Sequence, residues 1–227
     1  MSGTLVPTLI HCLEVVRPDL TGLGYGVATE WDQEPGGRDV DMHRLAAQMT
    51  ARRRADFLVG RRALGHALAD SGLPDLPRSV VIGERGRPFV PAGLTVSVSH
   101  SRGIAVALAA STERFCSVGI DLELSHLPDD AAHLVLTEPE RAWLSNVDSP
   151  VERRYRLLTA FSAKESVFKA LDPLFDAGNL RRIHLIPVRH GFLAWPAGRP
   201  RVRLQVRVHP IGTGVLTWTV YTAGTGL

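Results

Sequence analysis

Lysine is almost missing from this chain of 227 residues: of 26 basic side chains only Lys164 and Lys169 are lysines, and the other 24 are arginines. Cysteine is as scarce. Cys12 and Cys116 lie far apart and form no CxxC pattern, which excludes a thiolate metal site and fits a reducing compartment. Aromatic residues make up 6% of the chain, too few to build base-stacking platforms, and no zinc-finger spacing, ribonucleoprotein signature or heptad seam is present. No apolar run reaches membrane-spanning length. The first residues carry no basic stretch followed by an apolar core and a small-residue cleavage site, so no signal peptide is expected. These absences lead to the expectation of a soluble cytoplasmic protein that engages neither membrane nor nucleic acid.

What is present is ordinary globular material, 44% hydrophobic and 22% charged, long enough for one large domain or two small ones. A pI of 9.2 and a net charge of +3 permit an anionic ligand or an acidic partner. Residues 4–16 mix apolar and β-branched types and predict a strand. Residues 17–40, rich in Gly, Pro and Asp, predict a loop. From Val40 to Ser71 the apolar residues Leu45, Met49, Phe57, Leu58, Leu64 and Leu68 recur at helical steps, giving two helices or one broken one. Strands are expected at 79–83, 94–99, 103–110 and 117–122, with a tight turn at 86–88 and a hairpin junction at 99–103. Thr137-Glu-Pro-Glu140 is a capping box that starts a short helix, and a longer helix follows over 151–171. The tail predicts strands at 182–188, 191–195, 201–208 and 215–222. In 201–208 Arg201, Arg203, Gln205 and Arg207 alternate with apolar residues, so one face is buried and the other charged. Strand, long helix and strands thus occur twice, which predicts an α+β fold of two halves, 1–112 and 113–227.

Four stretches carry chemistry. Asp121 and Glu123 stand two apart at a strand end, so both carboxylates share a face, and a divalent cation would relieve their repulsion. Glu165 could add a third carboxylate if its helix crosses that strand end; on a plain surface helix it would instead pair with Lys169 at i,i+4. Both lysines flank Glu165, and an ammonium, unlike a guanidinium, can give up a proton. Arg52-Arg53-Arg54 with Arg61 and Arg62 makes one helix strongly basic. That suits phosphate clamping, or a solvated face whose stems cover apolar surface. His100 follows Ser97-Val-Ser99 beside a Gly and an Arg, where it could contact an anion.

In order, Gly86-Arg-Pro88, Ser97-Val-Ser-His100, Val118-Gly-Ile-Asp-Leu-Glu123 and Phe161-Ser-Ala-Lys-Glu-Ser-Val-Phe-Lys169 resemble the 4′-phosphopantetheinyl transferases. The likeness, over roughly residues 50–175, is to their longer, monomeric class that primes peptide and polyketide synthase carrier proteins. It implies two pseudo-symmetric α+β halves with the active site in the cleft between them. It implies Mg²⁺ (or Mn²⁺) on Asp121, Glu123 and Glu165, and coenzyme A as substrate. Arg53, Arg61, Arg85 or Arg87, Ser99, His100, Lys164 and Lys169 would hold the coenzyme. Glu165 would act as base on the carrier serine and Lys169 as proton donor to the leaving 3′,5′-ADP. The rival reading is a non-catalytic protein that binds a nucleotide or nucleic acid through its basic segment 52–62.

Overall fold

The computed structural model describes residues 5–18, 20–32, 40–73, 81–82, 88–175 and 178–222. Helix α1, Leu5–Val15, replaces the strand expected there. Leu9, Cys12, Leu13 and Val16 recur at three- and four-residue steps and turn together onto the core, with Leu13 fully buried. Pro7 falls in the first turn, where its missing N–H costs nothing.

The segment expected to be a loop holds strand β1, Leu23–Thr29. Strands β2 (Val81–Ile82) and β3 (Pro88–Phe89) pair as a minimal hairpin, and the turn residues before Pro88 lie outside the described residues. Strands β4 (Leu94–Ser101) and β5 (Ile104–Ser111) form the expected hairpin, with its turn at Arg102-Gly103. Strands β1, β5 and β4 make a three-stranded antiparallel sheet in that order.

Helices α2 (Val40–Ala47) and α3 (Ala51–Asp70) confirm a broken helical stretch. The face that α3 buries is Val59, Gly60, Ala63, Leu64 and Ala67, smaller residues than the stripe the sequence suggested. The reason lies in β1. A Cβ on Gly24 would sit 1.9 Å from the Ala67 carbonyl oxygen, and one on Gly26 would sit 2.0 Å from that of Ala63. Helix and strand therefore meet backbone to backbone, and only small residues fit between them.

The second sheet comprises β6 (Ser117–Glu123), β7 (Ile183–Val188), β8 (Gly191–Pro196), β9 (Leu204–Ile211) and β10 (Gly214–Tyr221), in the order β6-β10-β9-β8-β7. Short helices α4 (Ala131–Val135) and α5 (Glu138–Ser145) lead into α6, Pro150–Leu171. Helix α6 starts on Ser149, whose hydroxyl accepts the Glu152 N–H at 3.4 Å, with Pro150 in its first turn. It lies on β6 as α3 lies on β1: a Cβ on Gly119 would come 1.9 Å from the Ser166 carbonyl oxygen. Phe161 and Phe168, seven positions apart, anchor α6 to the second core.

The two sheets meet where β4, an edge strand of the first, runs beside β6, an edge strand of the second. The joint is built from side chains. Ser97, Ser99 and Ser101 point to one side of β4, and their hydroxyls accept the N–H groups of Ile120, Leu122 and Leu124 at 3.0, 3.2 and 3.1 Å. A buried strand edge with empty N–H groups would be costly, and three alternating serines satisfy it. Val98 and His100 project to the opposite side, toward α3.

Candidate active site

Strand β6 carries Asp121 two residues before its end, and that residue is 3% exposed. Its Oδ1 accepts Lys169 Nζ at 2.7 Å and the Ser99 hydroxyl at 2.9 Å. Its Oδ2 is buried with no partner. Lys169 also donates to the Ile120 carbonyl at 3.2 Å, which commits two of its three N–H groups. Glu123 and Glu165 complete an acidic cluster. Burial first, then the neighbouring Asp121 and Glu165 charges, push the Glu123 carboxyl up to about 7, with Lys169 opposing. Burial likewise raises Glu165, with Lys169 opposing and Asp121 adding to the rise.

A divalent cation fits this donor set. Among the described residues no three acidic, His or Cys side chains are arranged to hold an ion as they stand; Asp121, Glu123 and Glu165 are the carboxylates that would hold one here. The fit is carried by Asp121: a desolvated carboxylate oxygen without a donor, beside two more carboxyls, is a charge arrangement that a cation relieves.

One residue along β4, on its other side, His100 opens into a cavity of about 410 Å³ shared with α3. Arg52, Arg53 and Arg61 line it, with Asp56 and Phe57 among the remaining walls. Arg61 lies over the Phe57 ring at 4.9 Å, its Nη1 is buried without a partner, and burial lowers its guanidinium to about 10, still a cation at neutral pH. An anion would satisfy that nitrogen. Asp56 stands 3.7 Å from His100 Nδ1. The Ser99-His100 pair therefore joins an acidic cluster to a basic cavity through adjacent residues of one strand.

Asp121, Glu123, Glu165, Lys169 and Ser99 thus come together, as do Arg53, Arg61 and His100. The Ser99 hydroxyl faces Asp121 and not the cavity where the coenzyme phosphates were expected. Lys164 is a correction. Its ammonium is fully buried away from the cluster, 2.6 Å from Glu140 Oε2, and donates to the Val135 and Leu180 carbonyls at 3.0 and 3.2 Å. It is a core ion pair and not a coenzyme ligand: burial pushes Lys164 down while Glu140 pulls it back up. Glu140 also accepts the N–H of Thr137, closing the capping box, and that of Leu185 on β7, each at 2.8 Å. Arg85 and Arg87 lie outside the described residues. Two arginines of the basic segment are structural: Arg54 donates to the Ala46 carbonyl at 3.1 Å at the end of α2, and Arg62 holds the Thr29 and Asp32 carbonyls. Asp56 is a lining residue that the sequence did not point to, and Arg52 stood there only as a member of the basic segment. Their i,i+4 spacing, with Asp56 three residues from Arg53, was the available signal.

An acidic cluster and a basic cavity thus lie side by side, an arrangement suited to an anionic ligand and a divalent cation. Two family models match the chain: the 4′-phosphopantetheinyl transferase N-terminal domain over residues 41–110 and the 4′-phosphopantetheinyl transferase superfamily over residues 117–211. The 4′-phosphopantetheinyl transferase Npt of Nocardia iowensis is 36% identical over 163 residues, 71% of this chain and 70% of that protein. Svp of Streptomyces mobaraensis, also a 4′-phosphopantetheinyl transferase, is 38% identical over 56% of this chain and 52% of its own length. Enterobactin synthase component D of Salmonella typhi is 33% identical over 63% of this chain and 64% of its own. The chain spans about half to two thirds of these last two relatives. It belongs to the 4′-phosphopantetheinyl transferases, of the long type, and is an enzyme of that class.

Proposed function

We propose that this enzyme moves the 4′-phosphopantetheine group of coenzyme A onto a serine hydroxyl of an apo acyl or peptidyl carrier protein and releases 3′,5′-ADP. The observation that supports it most is Asp121, with its unpartnered buried oxygen, one residue-pair away from an arginine-lined cavity of about 410 Å³. The reading takes the enzyme to act as a cytoplasmic monomer.

In this scheme Arg53 and Arg61 bind coenzyme phosphates in the cavity as fixed cations that orient the substrate before reaction, with His100 contacting the phosphates beside them. Asp121, Glu123 and Glu165 would hold Mg²⁺, which supplies charge stabilisation to the pyrophosphate oxygens when bound. The carrier serine oxygen bonds to the β-phosphorus of coenzyme A and the bridging P–O bond breaks. Glu165 accepts the serine proton, directly or through a water. The remaining N–H of Lys169 delivers a proton to the departing phosphate of 3′,5′-ADP, a task for which guanidinium is unsuited.

Incubation with coenzyme A, Mg²⁺ and several apo carrier domains, followed by intact mass measurement, tests the proposal. One phosphopantetheine adduct per carrier is expected. No adduct on any carrier, with folded protein, rejects it.

A further inference from the structure

Among the three serines that join β4 to β6, only the central one touches a carboxylate. Ser97 and Ser101 each accept one backbone N–H and nothing more is shown for their hydroxyls. Ser99 accepts the Leu122 N–H at 3.2 Å and, through its own proton, donates to Asp121 Oδ1 at 2.9 Å. Its residue is 6% exposed, so that proton has little access to water as an alternative acceptor.

The consequence is geometric. A carboxylate on a strand end can turn about its Cβ–Cγ bond and exchange its two oxygens. Two donors from two different elements meet on the same Asp121 oxygen: Lys169 from α6 at 2.7 Å and Ser99 from β4. Together they fix the carboxylate plane and leave Oδ2 as the oxygen that carries no donor. Lys169, although it also donates to the Ile120 carbonyl at 3.2 Å, sits at the end of a long flexible stem and holds this orientation less firmly than a short side chain would. Ser99 cannot follow a turn of the carboxylate: its oxygen is pinned by the Leu122 N–H, on the same strand as Asp121.

We infer that Ser99 is a positioning residue that aims Asp121 Oδ2 at the divalent cation, and is not a group that holds the coenzyme phosphates through its hydroxyl. The inference rests on the transferase reading, and its test reads cation binding separately from transfer.

Mn²⁺ binding to the full-length protein is measured by electron paramagnetic resonance in the presence of coenzyme A and without carrier, alongside the Mg²⁺ dependence of transfer. Ser99→Ala is expected to weaken Mn²⁺ binding by about 10-fold, as loss of a group that orients a metal ligand commonly does. The Mg²⁺ concentration for half-maximal transfer rises with it. Ser97→Ala removes a rung without touching a carboxylate and is expected to lower thermal stability but leave the cation requirement unchanged. Should Ser99→Ala fail to fold, Ser99→Cys keeps the volume with a weak donor, and the same weakening is expected from it. Equal Mn²⁺ affinity in wild type and a folded Ser99 variant overturns the inference, as does an equal loss in Ser97→Ala. A wild-type protein that binds Mn²⁺ yet never modifies a carrier would reject the proposed function and leave the role of Ser99 intact.

Discussion

Placing a methyl group on Gly119 would pry α6 off β6. The added carbon would stand 1.9 Å from the Ser166 carbonyl oxygen and 2.9 Å from the Ser166 carbonyl carbon and the Ala170 nitrogen, all backbone atoms that no rotamer change can move. Ordinary contact begins near 3.4 Å, so helix and strand must part by roughly 1.5 Å along that line. The strain and the lost packing are worth about 1–3 kcal/mol or somewhat more. Ser166 sits between Glu165 and Lys169, so the displacement acts on the site itself. The 2.7 Å bond from Lys169 to Asp121 would stretch beyond hydrogen-bonding range unless the lysine stem re-extends. A misplacement of this size commonly costs about 100-fold in rate. Gly65 on α3 is the control, since a Cβ there meets nothing within 4 Å. Gly65→Ala should stabilise by up to about 1 kcal/mol through helix propensity alone. Urea unfolding and initial rates of carrier modification read both effects. Gly119→Ala with an unchanged unfolding midpoint and a wild-type rate would refute the account of how α6 is seated.

Lys169→Arg keeps the charge but removes a titratable donor, and transfer should slow by about 100-fold or more; a near-wild-type rate would end the proton-donor role. Lys164→Ala strands the Glu140 carboxylate, itself 5% exposed, without its cation, at a cost of about 3–5 kcal/mol in urea unfolding. An unchanged stability with a raised KM for coenzyme A would return that lysine to the site. Burial, then the charges of Arg207 and His190, hold His209 below the ordinary imidazole value of 6.5, and its Nε2 accepts the Trp218 indole N–H at 3.3 Å. The unfolded chain takes up this proton at higher pH than the folded one. Stability from this group is therefore intact above about pH 6.5 and falls as the pH drops below it. His209→Gln should flatten the slope of urea midpoint against pH in that window; an unchanged slope would assign the acid sensitivity elsewhere.

The sequence made the second half more legible than the first. Helix α6, the capping box at Thr137 and the tail strands follow from the turn residues that bound them and from the alternation over 201–208, although α6 buries the consecutive run Leu157–Ala160 and not a single stripe. Strand β1 was hidden by the same glycines that make it possible: Gly24 and Gly26 read as loop residues, whereas their two-residue spacing marks one face of a strand pressed against a helix backbone. Helix α1 was misread because β-branched content was weighed above the Leu9, Cys12, Leu13, Val16 stripe. The acidic cluster was readable from Asp121 and Glu123 on one strand face. Lys164 was not separated from Lys169, although five positions turn a helix about 140° away from alignment, enough to send one lysine inward and the other to the site. The serine joint between the sheets left only alternation as a trace. Its partners are backbone N–H groups, which carry no residue identity.

The most direct test of the central claim is a paired measurement on Asp121→Ala: titration of coenzyme A with and without Mg²⁺, and single-turnover modification of an apo carrier. The account predicts that the variant stays folded, loses the Mg²⁺-dependent part of coenzyme A binding and forms no modified carrier, while the wild type shows both. Carrier modification at a wild-type rate by Asp121→Ala, with the same response to Mg²⁺, would contradict it.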